Sequence, residues 1–203
     1  MSAPGAIDEI VEVVSEPLLQ ERVGQLGAEI AADYADEAPV AIGVLNGSVP
    51  FLADLSMHLQ PELEIDFLSL TRFGRHGRVS VNMDTSLALA GRRVLLVEDI
   101  VDTGLTLVTL RKMLAAKGAR DVRTVALLDK SARRIVDVDV EYRGFEVGDE
   151  FLLGYGLDWN GKFRNLRSLW AVMDMQALTD DPDRSIAAVF AATTSAAGRS
   201  VAR

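Results

Sequence analysis

Glu98, Asp99 and Asp102 bring three carboxylates together in one short segment, and Thr103-Gly104-Leu105-Thr106 follows directly. Carboxylates repel phosphate, but they accept hydrogen bonds from the vicinal hydroxyls of a ribose and help to hold magnesium, directly or through water. Gly104 and the two threonines, placed where a helix opens, let backbone N–H groups and hydroxyls converge on one phosphate. A diol grip beside a phosphate cup fits a ribose 5-phosphate. A plainer arrangement uses the same residues: Asp102 caps the helix, and Glu98-Asp99 are solvated charges at a strand end. A cap needs one polar residue, however, and this turn carries several.

The elements around the turn must hold it in place. Val94–Val97 is apolar and β-branched, which predicts a strand buried on both faces and ending at Glu98. Leu105–Lys117 predicts an amphipathic helix, stopped by Gly118. Strand, turn and helix in that order put the turn at the carboxyl edge of an open sheet, where ligands bind. Elsewhere the pattern predicts helices over Pro17–Tyr34 and Val49–Leu59. It predicts strands over Val40–Leu45, Leu63–Leu70 (interrupted by Asp66), Val122–Leu128 and Leu169–Met173. Short strands alternating with helices imply an α/β fold with a mainly parallel sheet. No repeat or domain boundary is visible, so residues 1–179 read as a single domain. Residues 180–203 read as a tail, mobile or packed on a neighbour, in which Ala187–Ala192 suits a turn or two of helix.

The 203 residues carry a net charge of −9 and no cysteine. That balance argues against a general nucleic-acid surface and gives no disulfide framework. The first residues have neither a basic start nor an apolar core, and no apolar run reaches the length of a membrane span. The expectation is a cytoplasmic protein with no membrane partner. His58 and His76 are the only histidines, and their separation does not suit a zinc site. His58 falls in a helical pattern and reads as structural or exposed.

The segment Glu98-Asp99-Ile100-Val101-Asp102-Thr103-Gly104-Leu105-Thr106 resembles the phosphoribosyl pyrophosphate motif of type I phosphoribosyltransferases. Three more segments, in the same order as in that family, narrow the resemblance to its hypoxanthine-guanine branch. These are Val44-Leu45-Asn46-Gly47-Ser48, Leu127-Leu128-Asp129-Lys130, and Phe151 to Asn160 with Phe163-Arg164-Asn165-Leu166. The resemblance covers residues 15 to 175. It implies the type I phosphoribosyltransferase fold, a central mainly parallel sheet flanked by helices with a small hood region. It also implies magnesium as cofactor, phosphoribosyl pyrophosphate and a 6-oxopurine as partners, and a homodimer or homotetramer.

The implied site follows residue by residue. Asn46 and Gly47 would form the pyrophosphate loop, with a cis peptide at Leu45-Asn46. Glu98, Asp99, Asp102, Thr103, Gly104, Leu105, Thr106 and Arg164 would hold phosphoribosyl pyrophosphate. Asp102 would be the general base. Lys130, a donor only, would address the exocyclic oxygen of the purine. Phe151 would stack on the ring, Leu152 would offer a backbone carbonyl, and Asp158 would lie near the edge that carries guanine's amino group. Glu98, Asp99 and Asp158 would meet magnesium. Trp159 and Trp170 read as packing residues. Arg72-Phe73, in the basic and glycine-bearing stretch Thr71–Arg78, would sit on a catalytic lid; a plain hairpin loop is the simpler reading. Two positions depart from the family pattern: many relatives have a basic residue at Asn46, and Ser-Tyr is usual at Arg72-Phe73. Two other functions therefore stay open, a nucleotide-sensing regulator on the same fold and a transferase for another acceptor such as xanthine. An ATPase is disfavoured, because no glycine-rich loop with a lysine precedes Val94.

Overall fold

The structure, a computed structural model, describes residues 10–73 and 78–200. The chain begins with β1 (Ile10–Val14), α1 (Glu16–Asp33), β2 (Val40–Leu45), α2 (Val49–Ser56), β3 (Glu64–Phe73) and β4 (Arg78–Met83). It continues with β5 (Arg93–Val101), α3 (Leu105–Ala116), β6 (Asp121–Asp129) and a 3-10 turn at Ser131–Arg133. The last elements are β7 (Tyr142–Glu146), β8 (Phe151–Leu153), β9 (Leu169–Val172), α4 (Met175–Asp180) and α5 (Pro182–Ser200). The described residues group into two compact units, one within Pro17–Asp149 and one of residues 10–16 with 150–200.

The larger unit is built on a six-stranded sheet in the order β4-β3-β2-β5-β6-β7. All its pairings are parallel except that of β3 with β4. Apolar runs make the inner strands, and successive side chains alternate between the two faces. Val94 and Leu96 pack with Leu107, Leu110 and Leu114 of α3, which recur at helical spacing on one side of that helix. Leu95 and Val97, which alternate with them along the strand, are equally buried.

Three expectations need correction here. The strand predicted to end at Val97 continues to Val101, and Glu98 pairs with Ala126, Ile100 with Leu128 and Val101 with Asp129. Adjacent carboxylates look like a turn in sequence; at the carboxyl end of a central strand the backbone ladder to β6 holds them in the strand. The helix predicted to reach Leu59 ends at Ser56, where the next N–H groups bond back three residues, Met57 to Asp54 and His58 to Leu55. His58 therefore lies outside the helix. It is exposed and rests on α1, so close that a Cβ on Gly27 would meet the His58 Cβ at 2.3 Å. Asp66 does not break its strand but anchors it.

The Asp66 carboxylate accepts hydrogen bonds from the backbone N–H groups of Ser86 (2.7 Å), Phe67 (2.8 Å) and Leu87 (2.9 Å). Burial alone would raise its pKa, but the N–H groups of Leu87, Phe67 and Ser86 outweigh burial and hold it below the usual carboxylate range. A folded pKa below the unfolded one contributes stability above the unfolded value, about 3.9, and loses it as pH falls through the folded value. Asp66→Asn should therefore be less stable than the wild type at neutral pH, with the gap narrowing below about pH 4. Urea unfolding of both proteins from pH 3 to 7 tests this, and a gap independent of pH would contradict it.

The smaller unit has a three-stranded antiparallel sheet, β1-β9-β8. Ile10, Leu153, Phe163, Trp170, Val172, Leu178 and Val189 form its core, with Trp159 and Ile186 packed against them. Both tryptophans thus have the packing role expected of them, and the Trp170 indole N–H donates to Ser168 Oγ at 2.9 Å. The tail expectation is corrected: Pro182–Ser200 is a 19-residue helix. The Asp181 carboxylate accepts the Arg184 N–H at 3.1 Å, and Pro182 stands at the first helical position. An alanine-rich stretch then propagates, with Ile186 and Val189 turned to the core.

Candidate active site

In the six-stranded sheet, β2 leads to β3 on one side and β5 leads to β6 on the other. Two neighbouring parallel strands that diverge in this way leave a crevice beyond their carboxyl ends, the usual ligand position of an open α/β sheet. The two turns singled out in the sequence, Asn46–Ser48 after β2 and Asp102–Gly104 after β5, both emerge at that edge.

The first turn contains a cis peptide between Leu45 and Asn46. Ser48 is fully buried; its hydroxyl donates to the Val44 carbonyl at 2.8 Å, and its own carbonyl receives the Leu52 N–H at 2.8 Å. Gly47 and Asp99 meet across the crevice. A Cβ built on Gly47 would lie 1.5 Å from Asp99 Oδ2 and 2.5 Å from Cγ. The other oxygen, Asp99 Oδ1, accepts the Ile100 N–H at 2.8 Å. Only glycine lets the loop approach this carboxylate so closely. Glu98, one residue earlier, is buried with 6% exposure.

The second turn opens α3 through Gly104, at φ +84°. A side chain there would adopt the left-handed conformation and also meet Arg134 Cδ at 2.9 Å and Val138 Cγ1 at 2.9 Å. No side chain caps the helix, so Asp102 is not a cap. That leaves the leading N–H groups of α3 directed at the turn, a position suited to an anion. The Asp102 carboxylate instead receives Arg133 Nε at 2.7 Å, and the Asp102 carbonyl receives Arg134 Nη1 at 2.6 Å.

Those two arginines follow Lys130 in sequence and tie its segment to the turn. Lys130 has 8% exposure, and its N–H donates to the Val101 carbonyl at 2.9 Å. Asp129 is fully buried, ion-paired with Arg134 and, at 2.7 Å, with Arg143. The Thr103 carbonyl receives the Ile135 N–H at 3.0 Å. Asp129, quoted in the Leu127–Lys130 segment without a role, and Arg133 and Arg134, absent from the sequence-based candidates, thus belong to this edge. Two adjacent arginines just after Lys130 were the available signal.

The smaller unit carries the remaining candidates. Phe151 opens β8 with 39% exposure, while Leu152 is buried. Gly154, Tyr155 and Gly156 all have positive φ. The resulting loop is closed by backbone bonds from Gly154 to Leu157, Tyr155 to Leu166 and Gly156 to Arg164. Asp158 Oδ2 accepts the Gly161 N–H at 2.7 Å, and Asp158 Oδ1 pairs with Arg164 at 2.8 Å. These two residues, assigned separately from sequence, are brought together here. Arg72 and Phe73 continue β3 as ladder partners of Val79 and Arg78; their side chains and residues 74–77, including His76, lie outside the described residues.

Comparison with known proteins agrees with this geometry. A model of the phosphoribosyl transferase domain matches residues 11–160. A hypoxanthine-guanine phosphoribosyltransferase of Bacillus subtilis is 41% identical over 158 residues, which is 76% of this chain and 88% of that protein. One from Lactococcus lactis is 40% identical over 166 residues, or 79% of this chain and 90% of the other. The crystal structure of a hypoxanthine-guanine phosphoribosyltransferase from Bacillus anthracis superposes with a TM-score of 0.78 at 39% identity. It covers 79% of this chain and 97% of that one.

Proposed function

We propose, from the premise that the chain belongs to the phosphoribosyl transferase family, that it catalyses purine salvage. It transfers the 5-phosphoribosyl group of phosphoribosyl pyrophosphate to N9 of hypoxanthine or guanine, giving the nucleotide and pyrophosphate. The observation that carries the reading is the crevice edge itself, where Gly47 lies against Asp99 beside a glycine-opened, uncapped helix turn.

Each residue then has a task. N–H groups and hydroxyls of Thr103, Gly104, Leu105 and Thr106 bind the 5-phosphate, and Glu98 and Asp99 accept the ribose hydroxyls. The Asn46-Gly47 loop and Arg164 hold the pyrophosphate, the latter through its fork of donors. As the anomeric carbon parts from pyrophosphate and gains positive charge, N9 attacks it and Asp102 takes the proton from N7. Alignment of the two substrates adds to the rate independently of the base. Lys130 donates to the 6-oxygen, Phe151 stacks on the ring, Leu152 accepts from the purine edge through its carbonyl, and the lid with Arg72-Phe73 excludes water.

Among the described residues no group of three or more His, Asp or Glu side chains forms a metal cage. Separate hard oxygen donors suit magnesium, which keeps several waters and takes substrate oxygens as ligands. Glu98, Asp99 and Asp158 are the residues that would hold it. When bound, magnesium neutralises the leaving pyrophosphate. The same reading includes a homodimer or homotetramer in the cytoplasm; among the described residues no helix is long and apolar enough to cross a membrane.

Lys130→Ala tests acceptor recognition. It should raise KM for hypoxanthine and guanine by about tenfold or more, because a purine oxygen is left without its donor. The KM for phosphoribosyl pyrophosphate should stay within about twofold. Equal losses for every base and for the cosubstrate would remove the role assigned to Lys130.

A further inference from the structure

The Lys130–Arg133 turn links two groups assigned above to the same edge of one base. In the reading above, Lys130 addresses the 6-oxygen of the purine and Asp102 addresses the proton on N7. The link between them is short. The Arg133 N–H bonds to the Lys130 carbonyl at 2.9 Å, closing the 3-10 turn. Arg133 Nε then reaches Asp102 Oδ1 at 2.7 Å. Its Nη1 bonds to Asp149, on the stretch that follows β7, so the guanidinium is held from two sides. One oxygen of Asp102 is thereby engaged while Oδ2 has no bond to Arg133.

We infer that Arg133 is a positioning residue for Asp102, and that Asp149 in turn aligns Arg133. The inference rests on the assignment of Asp102 as general base. The Arg133–Asp102 pair is half-exposed, with side-chain exposures of 44% and 37%. Such a pair adds little to stability. Its effect lies in orientation: the Nε–H fixes the rotation of the carboxylate, so that Oδ2 is presented to the base whose 6-oxygen Lys130 holds. A charge-assisted bond supplies the directionality that a solvated carboxylate lacks.

The test is a cycle of single and double variants, with kcat and KM measured at saturating magnesium. Arg133→Ala should lower kcat about tenfold, with KM for phosphoribosyl pyrophosphate within about twofold and the melting temperature nearly unchanged. Arg133→Lys should recover part of the loss, since an ammonium can bond Asp102 but cannot fork to Asp149 as well. Asp149→Asn should cause a smaller loss than Arg133→Ala. The decisive member is Arg133→Ala combined with Asp102→Asn: it should be no slower than Asp102→Asn alone. Multiplying losses in that double variant, or an unchanged kcat in Arg133→Ala, would overturn the inference while leaving the base assignment intact. A wild-type kcat in Asp102→Asn would remove the base assignment itself, and the positioning role with it. If Arg133→Ala loses stability, Arg133→Gln keeps the length and a donor, and the same comparison decides.

Discussion

Asp102→Asn is expected to lower kcat about a hundredfold, while KM for phosphoribosyl pyrophosphate stays within about twofold. The amide retains the volume of the carboxyl group and one oxygen that can accept Arg133 Nε, so the turn keeps its shape. The bond from the Arg134 guanidinium Nη1 to the Asp102 backbone carbonyl does not depend on the Asp102 side chain. On the proposed assignment, what disappears is the ability to take a proton as N9 attacks. General-base removal typically costs 10²- to 10⁴-fold. The lower end is expected because alignment of the two substrates contributes independently of the base. Initial rates with hypoxanthine, varied against each substrate, give the two constants; a kcat equal to the wild type would show that Asp102 has another role.

Gly47→Ala acts on binding. The added Cβ would overlap Asp99 Oδ2 at 1.5 Å and Cγ at 2.5 Å, so something must shift. The Asp99 carboxylate is held by the Ile100 N–H on its other oxygen and cannot simply rotate aside. The loop after the Leu45-Asn46 cis peptide must therefore move away from the crevice, carrying with it the N–H groups assigned to pyrophosphate. Losing two such charge-assisted bonds, at about 1.5–3 kcal/mol each, predicts an increase of about a hundredfold or more in KM for phosphoribosyl pyrophosphate. The KM for the purine, measured at saturating cosubstrate, should change far less. Placing Gly47→Ala in an Asp99→Gly background should add little to the loss from Asp99→Gly alone, since the overlap is gone. Full additivity would place the effect of the alanine elsewhere.

Much of this arrangement was legible in the chain. Val40–Leu45 and Leu105–Lys117 were readable because apolar periodicity and a stopping glycine are local signals. The cis peptide at Leu45-Asn46, implied by resemblance, is present. Other features were set by tertiary context. Nothing local in Glu98-Asp99 says that β5 extends to Val101, because the reason is the partner ladder on β6. Asp66 reads as a flaw in an apolar strand until Ser86 and Leu87 arrive from twenty residues away to donate to it. Arg133 is an ordinary surface arginine in sequence, and only the fold brings it to Asp102. The long tail helix has local signals, Asp181-Pro182, alanine richness and the Ile186–Val189 spacing, that extend it well beyond the turn or two expected over Ala187–Ala192.

Transfer of a phosphoribosyl group to a 6-oxopurine releases pyrophosphate as its second product. Its most direct test is pyrophosphate release by the wild-type protein with magnesium and phosphoribosyl pyrophosphate, offered hypoxanthine, guanine, xanthine or adenine separately. Release is expected with hypoxanthine and guanine and none with adenine, whose 6-amino group gives Lys130 no acceptor. Turnover of xanthine alone would keep the mechanism but change the acceptor, and no release with any base, from protein that binds phosphoribosyl pyrophosphate, would contradict the account.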